Sequence, residues 1–245
     1  MASTPQHPGL IALVGSGEYL PSMLEVERSL LEGRPPIYVQ IPTAATTEGP
    51  ERLQYWVDLG RAQAERLGVT ARTLIIRNRD EANSPDTVAM LEGAGLIYLS
   101  GGNPKHLTET LANTVAERGI RQAWQSGCSL AGCSAGAMAL AEWVVGFRRI
   151  PPHPYPGLGI VPKISVLPHF DRTLGRLPDF LTSRAFRPPA GITLVGIDEE
   201  TAIVGGNGQF EVMGKRSAWI IGDGSMQQYE PGSVLTLPRT LELDY

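Results

Sequence analysis

Through its first 140 residues this chain repeats one pattern: a short apolar run, a loop of small or polar residues, then a stretch with helical spacing. The apolar runs cover residues 9–14, 36–42, 71–76 and 96–99, and a fifth leads into Ser134. The intervening helices are expected over 21–32, 51–67, 85–92 and 106–125, the last broken near Gly119. In 51–67 the apolar positions Leu53, Trp56 and Leu59 recur at helical intervals. Strands alternating with helices argue for an α/β protein: three layers, a mostly parallel central sheet and helices on both faces. In such sheets a site lies beyond the carboxyl ends of the strands. The loops 15–18, 43–47 and 101–104 and Ser134 are all strand-end loops and should converge on one edge of the sheet.

The second half reads differently. Residues 144–163 are rich in Pro and Gly and are expected to form an irregular excursion over the site. A strand at 164–167 closes on Pro168-His169-Phe170, a helix is expected over 175–186, and a strand at 192–197 ends in Asp198-Glu199-Glu200. From Thr201 onward short runs separated by Gly read as antiparallel strands and hairpins. No linker or long-period repeat divides the chain, so one domain over 1–245 is expected, with residues 1–8 a frayed tail.

Composition excludes several classes. A chain of 245 residues with 42% apolar and 19% charged residues buries a core without staples. A net charge of −4 argues against a nucleic-acid partner held by phosphate contacts. No apolar run approaches the roughly 20 residues of a membrane span, and the N-terminus lacks the form of a signal peptide. Cys128 and Cys133 read as buried free thiols rather than a disulfide, which fits a reducing cytoplasm.

The stretch Leu130-Ala131-Gly132-Cys133-Ser134-Ala135-Gly136-Ala137 carries the chemistry. Gly-x-Ser-x-Gly between an apolar strand and a small-residue helix is the pattern of a nucleophile elbow, with Ser134 at the apex. The two glycines let strand and helix backbones pass close together. The N–H of Ala135 would face a developing oxyanion at the start of the helix. The overlapping frame around Ser129 leaves no apolar strand before it and would bury Gly132 and Gly136 in a helix, so Ser129 reads as a strand residue. Cys133 is disfavoured as nucleophile because the glycines bracket position 134.

An activated serine needs a base, a group that orients the base, and oxyanion donors. Of the four histidines, His7 lies in the tail, His106 on an expected helix and His153 in the Pro-rich stretch. His169 directly follows an apolar strand and is the expected base. For the acid, Glu199 ranks first, with Asp198, Glu200 and Asp171 as alternatives. Glu142 is expected on the elbow helix, facing away from the apex. Gly102 or Asn103 would supply the second oxyanion N–H. The Gly15–Gly17 loop does not complete a dinucleotide fingerprint, since position 20 is Leu. Glu18 reads either as a pocket residue or as a first-turn acid.

The segments Gly15-Ser16-Gly17-Glu18, Ile41-Pro42-Thr43-Ala44, Ser100-Gly101-Gly102-Asn103, Gly132 to Ala137, Pro168-His169-Phe170 and Gly196-Ile197-Asp198-Glu199-Glu200-Thr201-Ala202 resemble, in this order, the S51 serine peptidases. That family includes dipeptidase E and cyanophycinase. The resemblance covers most of the chain and implies a class I glutamine amidotransferase-like (flavodoxin-like) fold. It also implies a Ser–His pair oriented by an acid, with no cofactor and no metal. Carried over, Ser134 is the nucleophile and His169 the base, and Glu199 matches the Gly-Ile-Asp-Glu segment. Pro104 stands where cyanophycinases carry Gln, and Leu167-Pro168 before the His is closer to dipeptidase E. Glu18, Thr43, Arg172 and Arg176 are assigned to the substrate pocket. The expected activity is hydrolysis of a small peptide or isopeptide bond in the cytoplasm, without nucleic-acid or membrane partners; the oligomeric state is left open by the sequence, with a homodimer as one option. Two other readings are an amidotransferase-like binding protein without turnover, and an amidase or esterase acting on a small metabolite.

Overall fold

The computed structural model describes residues 7–145, 154–174, 189–222 and 225–238. The first half alternates as expected. Strands β1 (Ile11–Val14), β2 (Ile37–Ile41), β3 (Thr70–Thr73), β4 (Leu96–Leu99) and β5 (Ser129–Cys133) are interleaved with helices. These are α1 (Leu24–Leu31), α2 (Pro50–Leu67), the short α3 (Arg79–Ala82), α4 (Pro85–Leu91), α5 (Pro104–Leu111) and α6 (Val115–Gln125). Then follow α7 (Ala135–Leu140), β6 (Ala141–Val144), β7 (Tyr155–Pro156), β8 (Val161–Leu167), α8 (Phe170–Leu174) and β9 (Thr193–Ile197). The chain ends its described course in β10 (Thr201–Gly206), β11 (Gln209–Gly214), β12 (Ala218–Gly222), β13 (Ser225–Tyr229) and β14 (Val234–Thr236).

The main sheet runs β14-β11-β10-β1-β5-β4-β2-β3. Its β1, β5, β4, β2 and β3 are mutually parallel, while β10, β11 and β14 pair antiparallel at one side. Period-two burial sorts its side chains onto two faces. Ala12, Val14, Tyr38, Leu96 and Tyr98 pack with Val26 and Leu30 of α1 and Ala64 of α2. Ile11, Leu13, Val39, Ile41, Ile97 and Leu99 pack with Leu107, Leu111, Ile120 and Ala137 from α5, α6 and α7. Both faces are therefore covered by helices, which is why β1 and β4 read as unbroken apolar runs.

A second sheet, ordered β13-β12-β9-β8-β6-β7, joins the same core through Ile164, Val166, Val195 and Ile197. The strands at 164–167 and 192–197 belong to this sheet rather than to the central one. The side of β1 away from β5 is occupied by β10, so β1 offers them no free edge. Helix α7 packs against β5, β1 and α5 and also against β6 and β8. All six of its residues, Ala-Gly-Ala-Met-Ala-Leu, are buried. Small side chains suit a helix enclosed between two sheets.

Three local expectations are corrected. The break in 106–125 falls at Asn113 (φ 60°), not at Gly119. There Thr114 caps α6 by accepting the Glu117 N–H at 3.3 Å, and Glu117 accepts the Asn113 N–H at 2.6 Å. Gly119 lies inside α6, at a close approach where a Cβ would meet Leu91 at 3.1 Å. Glu142 is not on the elbow helix: α7 ends at Leu140, the chain turns extended into β6, and Glu142 accepts the Lys163 N–H at 2.7 Å. The stretch 21–32 opens with a 3-10 turn, Pro21–Met23, before α1. The helix expected over 175–186, Arg176, His153 and most of the tail lie outside the described residues.

Candidate active site

Ser134 sits between β5 and α7 with φ 49° and ψ −106°, a backbone conformation non-glycine residues rarely adopt. The flanking glycines show what holds it there. A Cβ on Gly132 would lie 2.5 Å from the Gly136 carbonyl group, and one on Gly136 would lie 2.2 Å from the Leu99 carbonyl oxygen. Strand, turn and helix can close to this distance only without those side chains. The Ser134 N–H donates to the Val14 carbonyl at 2.9 Å, tying the apex to β1. Ser129 is buried in β5, as the choice of frame requires.

The expected strand-end loops do converge. The Gly101 N–H donates to Glu18 Oε1 at 2.8 Å, and the Asn103 N–H donates to the Ala44 carbonyl at 2.9 Å. A Cβ on Gly101 would come 3.5 Å from the Ser134 Cβ, so this loop lies directly beside the serine.

His169 follows β8 with φ 51°. Its Nε2 is 3.2 Å from Ser134 Oγ, and its Nδ1 is 2.9 Å from Glu199 Oε1. A carboxylate oxygen can only accept, so Nδ1 carries the proton and Nε2 is left to accept from the serine hydroxyl. Glu199 lies in the turn that carries the chain from β9 in the second sheet to β10 in the first. Its side chain is 17% exposed, against 40% for His169. The pair is thus open towards the serine and closed behind the acid.

The other acids are engaged elsewhere. Asp198 accepts from the Ser217 N–H at 3.1 Å and the Trp219 indole N–H at 3.0 Å, and burial pushes its carboxyl pKa up. Glu200 (φ 52°) accepts from Ser22 Oγ at 2.6 Å and pairs with Lys215 at 2.5 Å. The hydrogen bonds from Lys215 and Ser22 pull its carboxyl pKa down. Asp171 accepts the Glu199 N–H at 3.0 Å and pairs with Arg216.

Four expected roles change. Both Glu18 oxygens face the interior, since Oε2 accepts from the Cys133 thiol at 2.6 Å, so Glu18 is a brace rather than a pocket wall. It also precedes the 3-10 turn at Pro21 and is no first-turn acid. Thr43 is fully buried and lines no open surface. Asn103 caps α5, its Oδ1 accepting from the Lys105 and His106 N–H groups at 3.1 and 3.2 Å. With its own N–H held by Ala44, it has no backbone donor to spare for an oxyanion. Arg172 is 74% exposed and binds Glu199 Oε2 through Nε at 2.8 Å, so part of it supports the acid. Cys128 and Cys133 are both free and buried. Burial pushes the Cys133 thiol well above its ordinary range and Cys128 up to about 12. Neither is a thiolate near neutral pH.

His106 Nε2 lies 2.9 Å from Thr46 Oγ1. Arg216 had no signal in the sequence, because only the β10–β11 hairpin returns it to Asp171. Among the described residues, no group of three or more His, Cys, Asp or Glu side chains is placed to hold a metal ion. Likewise no helix there is long and apolar enough to cross a membrane.

Known proteins resemble this chain in sequence and in fold. A solved peptidase structure from an acI-B1 Actinobacterium is 40% identical, with a TM-score of 0.86 over 96% of this chain and 99% of its own. A proposed peptidase E protein from Listeria monocytogenes EGD-e shares the fold, with a TM-score of 0.57 at 20% identity over 91% of this chain and 98% of its own. A cyanophycinase from Nostoc sp. (strain PCC 7120) is 30% identical over 199 residues, 75% of this chain. The match spans 63% of that relative's length. The model of peptidase family S51 matches residues 10–213. With that match over most of its length, the chain belongs to peptidase family S51.

Proposed function

We propose that the protein is a serine hydrolase cleaving a small peptide or isopeptide bond, with Ser134 as nucleophile, His169 as base and Glu199 as the orienting acid. The observation that carries this reading is the continuous path from Ser134 Oγ to His169 Nε2 (3.2 Å) and from Nδ1 to Glu199 Oε1 (2.9 Å). Ser134 Oγ attacks the carbonyl carbon while its proton passes to His169 Nε2. The tetrahedral oxyanion is met by the N–H groups of Ala135 and Gly102. Ala135 opens α7, so its N–H has no partner within the helix. Gly102 carries no Cβ and sits where one would meet the Ala44 carbonyl at 2.5 Å. Collapse of the intermediate expels the amine, which takes the proton from His169. Water then attacks the acyl carbon while giving a proton to the same nitrogen, and collapse returns that proton to Ser134 Oγ as the acid leaves. Glu199 holds the ring through Nδ1 and faces the charge the ring gains.

A fluorophosphonate probe tests the nucleophile. One equivalent should label the wild type and none should label Ser134→Ala. An unlabelled wild-type protein between pH 6 and pH 9 would overturn the reading, leaving a binding protein with this fold. Substrate class is tested by a panel of Asp-X dipeptides, isoaspartyl peptides and β-Asp-Arg. Cleavage within that panel is expected. Turnover of simple esters or amides alone would instead identify a small-metabolite hydrolase.

A further inference from the structure

The segment following β8 grips Glu199 at three points. His169 Nδ1 holds Oε1 at 2.9 Å, Arg172 Nε holds Oε2 at 2.8 Å, and Asp171 Oδ1 accepts the Glu199 backbone N–H at 3.0 Å. The three holds differ in weight. Arg172 is 74% exposed, and an ion pair so open to water contributes little. Asp171 is 17% exposed, so its bond to the N–H is shielded and charge-assisted.

Asp171 is itself fixed. Its Oδ2 pairs with Arg216 Nη1, and the Arg216 backbone N–H donates to Thr201 Oγ1 at 3.0 Å. The Thr201 hydroxyl donates to the Glu199 carbonyl at 3.2 Å. The peptide groups on either side of Glu199 are therefore both held, one by Asp171 and one by Thr201, and Arg216 closes the loop between them. The acid needs such a frame. It sits in a turn between two sheets, next to Glu200 at φ 52°, where no regular strand pairing sets its backbone.

We infer that Asp171 and Arg216 are positioning residues that hold Glu199 in register with His169. The inference rests on the proposed Ser134–His169–Glu199 reading and adds to it a charged pair that acts through the backbone of Glu199. A misplacement of about 1 Å in such a relay costs on the order of 100-fold in rate, whereas global stability depends little on a half-exposed ion pair.

The test measures the rate of fluorophosphonate labelling of the full-length protein, alongside its melting temperature. Asp171→Ala is expected to slow labelling roughly 10- to 100-fold. Arg216→Ala should slow it less, and Arg216→Lys should recover most of the rate by restoring a cation to Asp171. The decisive comparison is made in a Glu199→Ala background. There Asp171→Ala should change the rate by less than about twofold, because the group it positions is gone. A general loss of structure would instead multiply in both backgrounds. If wild type labels and Asp171→Ala and Arg216→Ala label at the wild-type rate, the inference fails while the nucleophile stands. Equal slowing by Asp171→Ala with and without Glu199 overturns it as well. Should Asp171→Ala not fold, Arg216→Ala against Arg216→Lys decides: equal rates for the two sink the inference. A wild type that does not label removes the reading on which it rests.

Discussion

At the residue scale, the region around Ser134 is built by exclusion. Gly132 and Gly136 are required because any side chain would collide with backbone, at 2.5 and 2.2 Å respectively. Gly136→Ala should therefore destabilise the protein by about 1–3 kcal/mol, the usual cost of forcing atoms into a packed site. A fall in melting temperature together with slower fluorophosphonate labelling would show it; an unchanged labelling rate would not fit. Cys133 is the neighbouring thiol and is stored rather than used. It is fully buried, it donates to Glu18, and both effects keep it protonated. Iodoacetamide at pH 8 is accordingly expected to leave the native protein unmodified and to alkylate both cysteines after denaturation, as read by mass spectrometry. Alkylation of the native protein would contradict that burial.

At the element scale, α1 carries an unusual load. Glu27 on its inner face is 1% exposed, with Gln63 of α2 donating to Oε1 at 3.1 Å. Burial raises its pKa from 4.5 to about 8. The sign follows directly. A carboxyl whose folded pKa is raised binds its proton more tightly in the folded state. Its stabilising effect is complete below about pH 4.5 and is lost as the pH rises to about 8. The loss amounts to at most about 1.4 kcal/mol per pH unit within that window. Glu27→Gln should remove this slope. The variant's melting temperature, compared with wild type, should rise progressively between pH 5 and pH 8. A constant difference across that range would show that Glu27 does not titrate there. The same scale explains the short α7. Enclosed between two sheets, it accepts only small residues near the elbow, and after Leu140 the chain is taken into β6.

At the scale of the whole molecule, no single sheet holds the site. Ser134 ends β5 of the eight-stranded sheet, whereas His169 and Glu199 follow β8 and β9 of the six-stranded one. Two of the crossings between sheets, through α7 and through the β9–β10 turn, carry the proposed nucleophile and acid. The turn is stitched to the β1 end by Gly15 N–H to the Thr201 carbonyl at 2.9 Å and by Glu200 N–H to the Ser16 carbonyl at 3.2 Å. Phe170, next to His169, is fully buried, its ring 5.7 Å from that of Trp219 and seated over Gly196. Phe170→Ala should cost about 3–5 kcal/mol. It should also slow labelling at temperatures where the variant is still folded, because His169, the proposed base, loses its anchor. Full labelling rate at lowered stability would separate packing from positioning.

What was legible in the sequence is what local physics controls. Apolar runs, glycines and strand-end loops announced the parallel strands, the helices on both faces, the turn at Ser134 and the placement of His169 after β8. Their signals lie within a few residues of the positions they govern. The chain itself could only rank Glu199 above Asp198, Glu200 and Asp171, since four acids near two adjacent strand ends are equivalent until directions are known. Tertiary structure chose by turning Asp198 into the core, Glu200 towards Lys215 and Asp171 onto a backbone N–H, leaving Glu199 on His169. It also assigned Glu18 to the interior, bound Asn103 to α5 and Ala44, and brought Arg216 to Asp171. Each of these depends on contacts between segments far apart in sequence, and on two sheets meeting at one edge, which no spacing along the chain encodes.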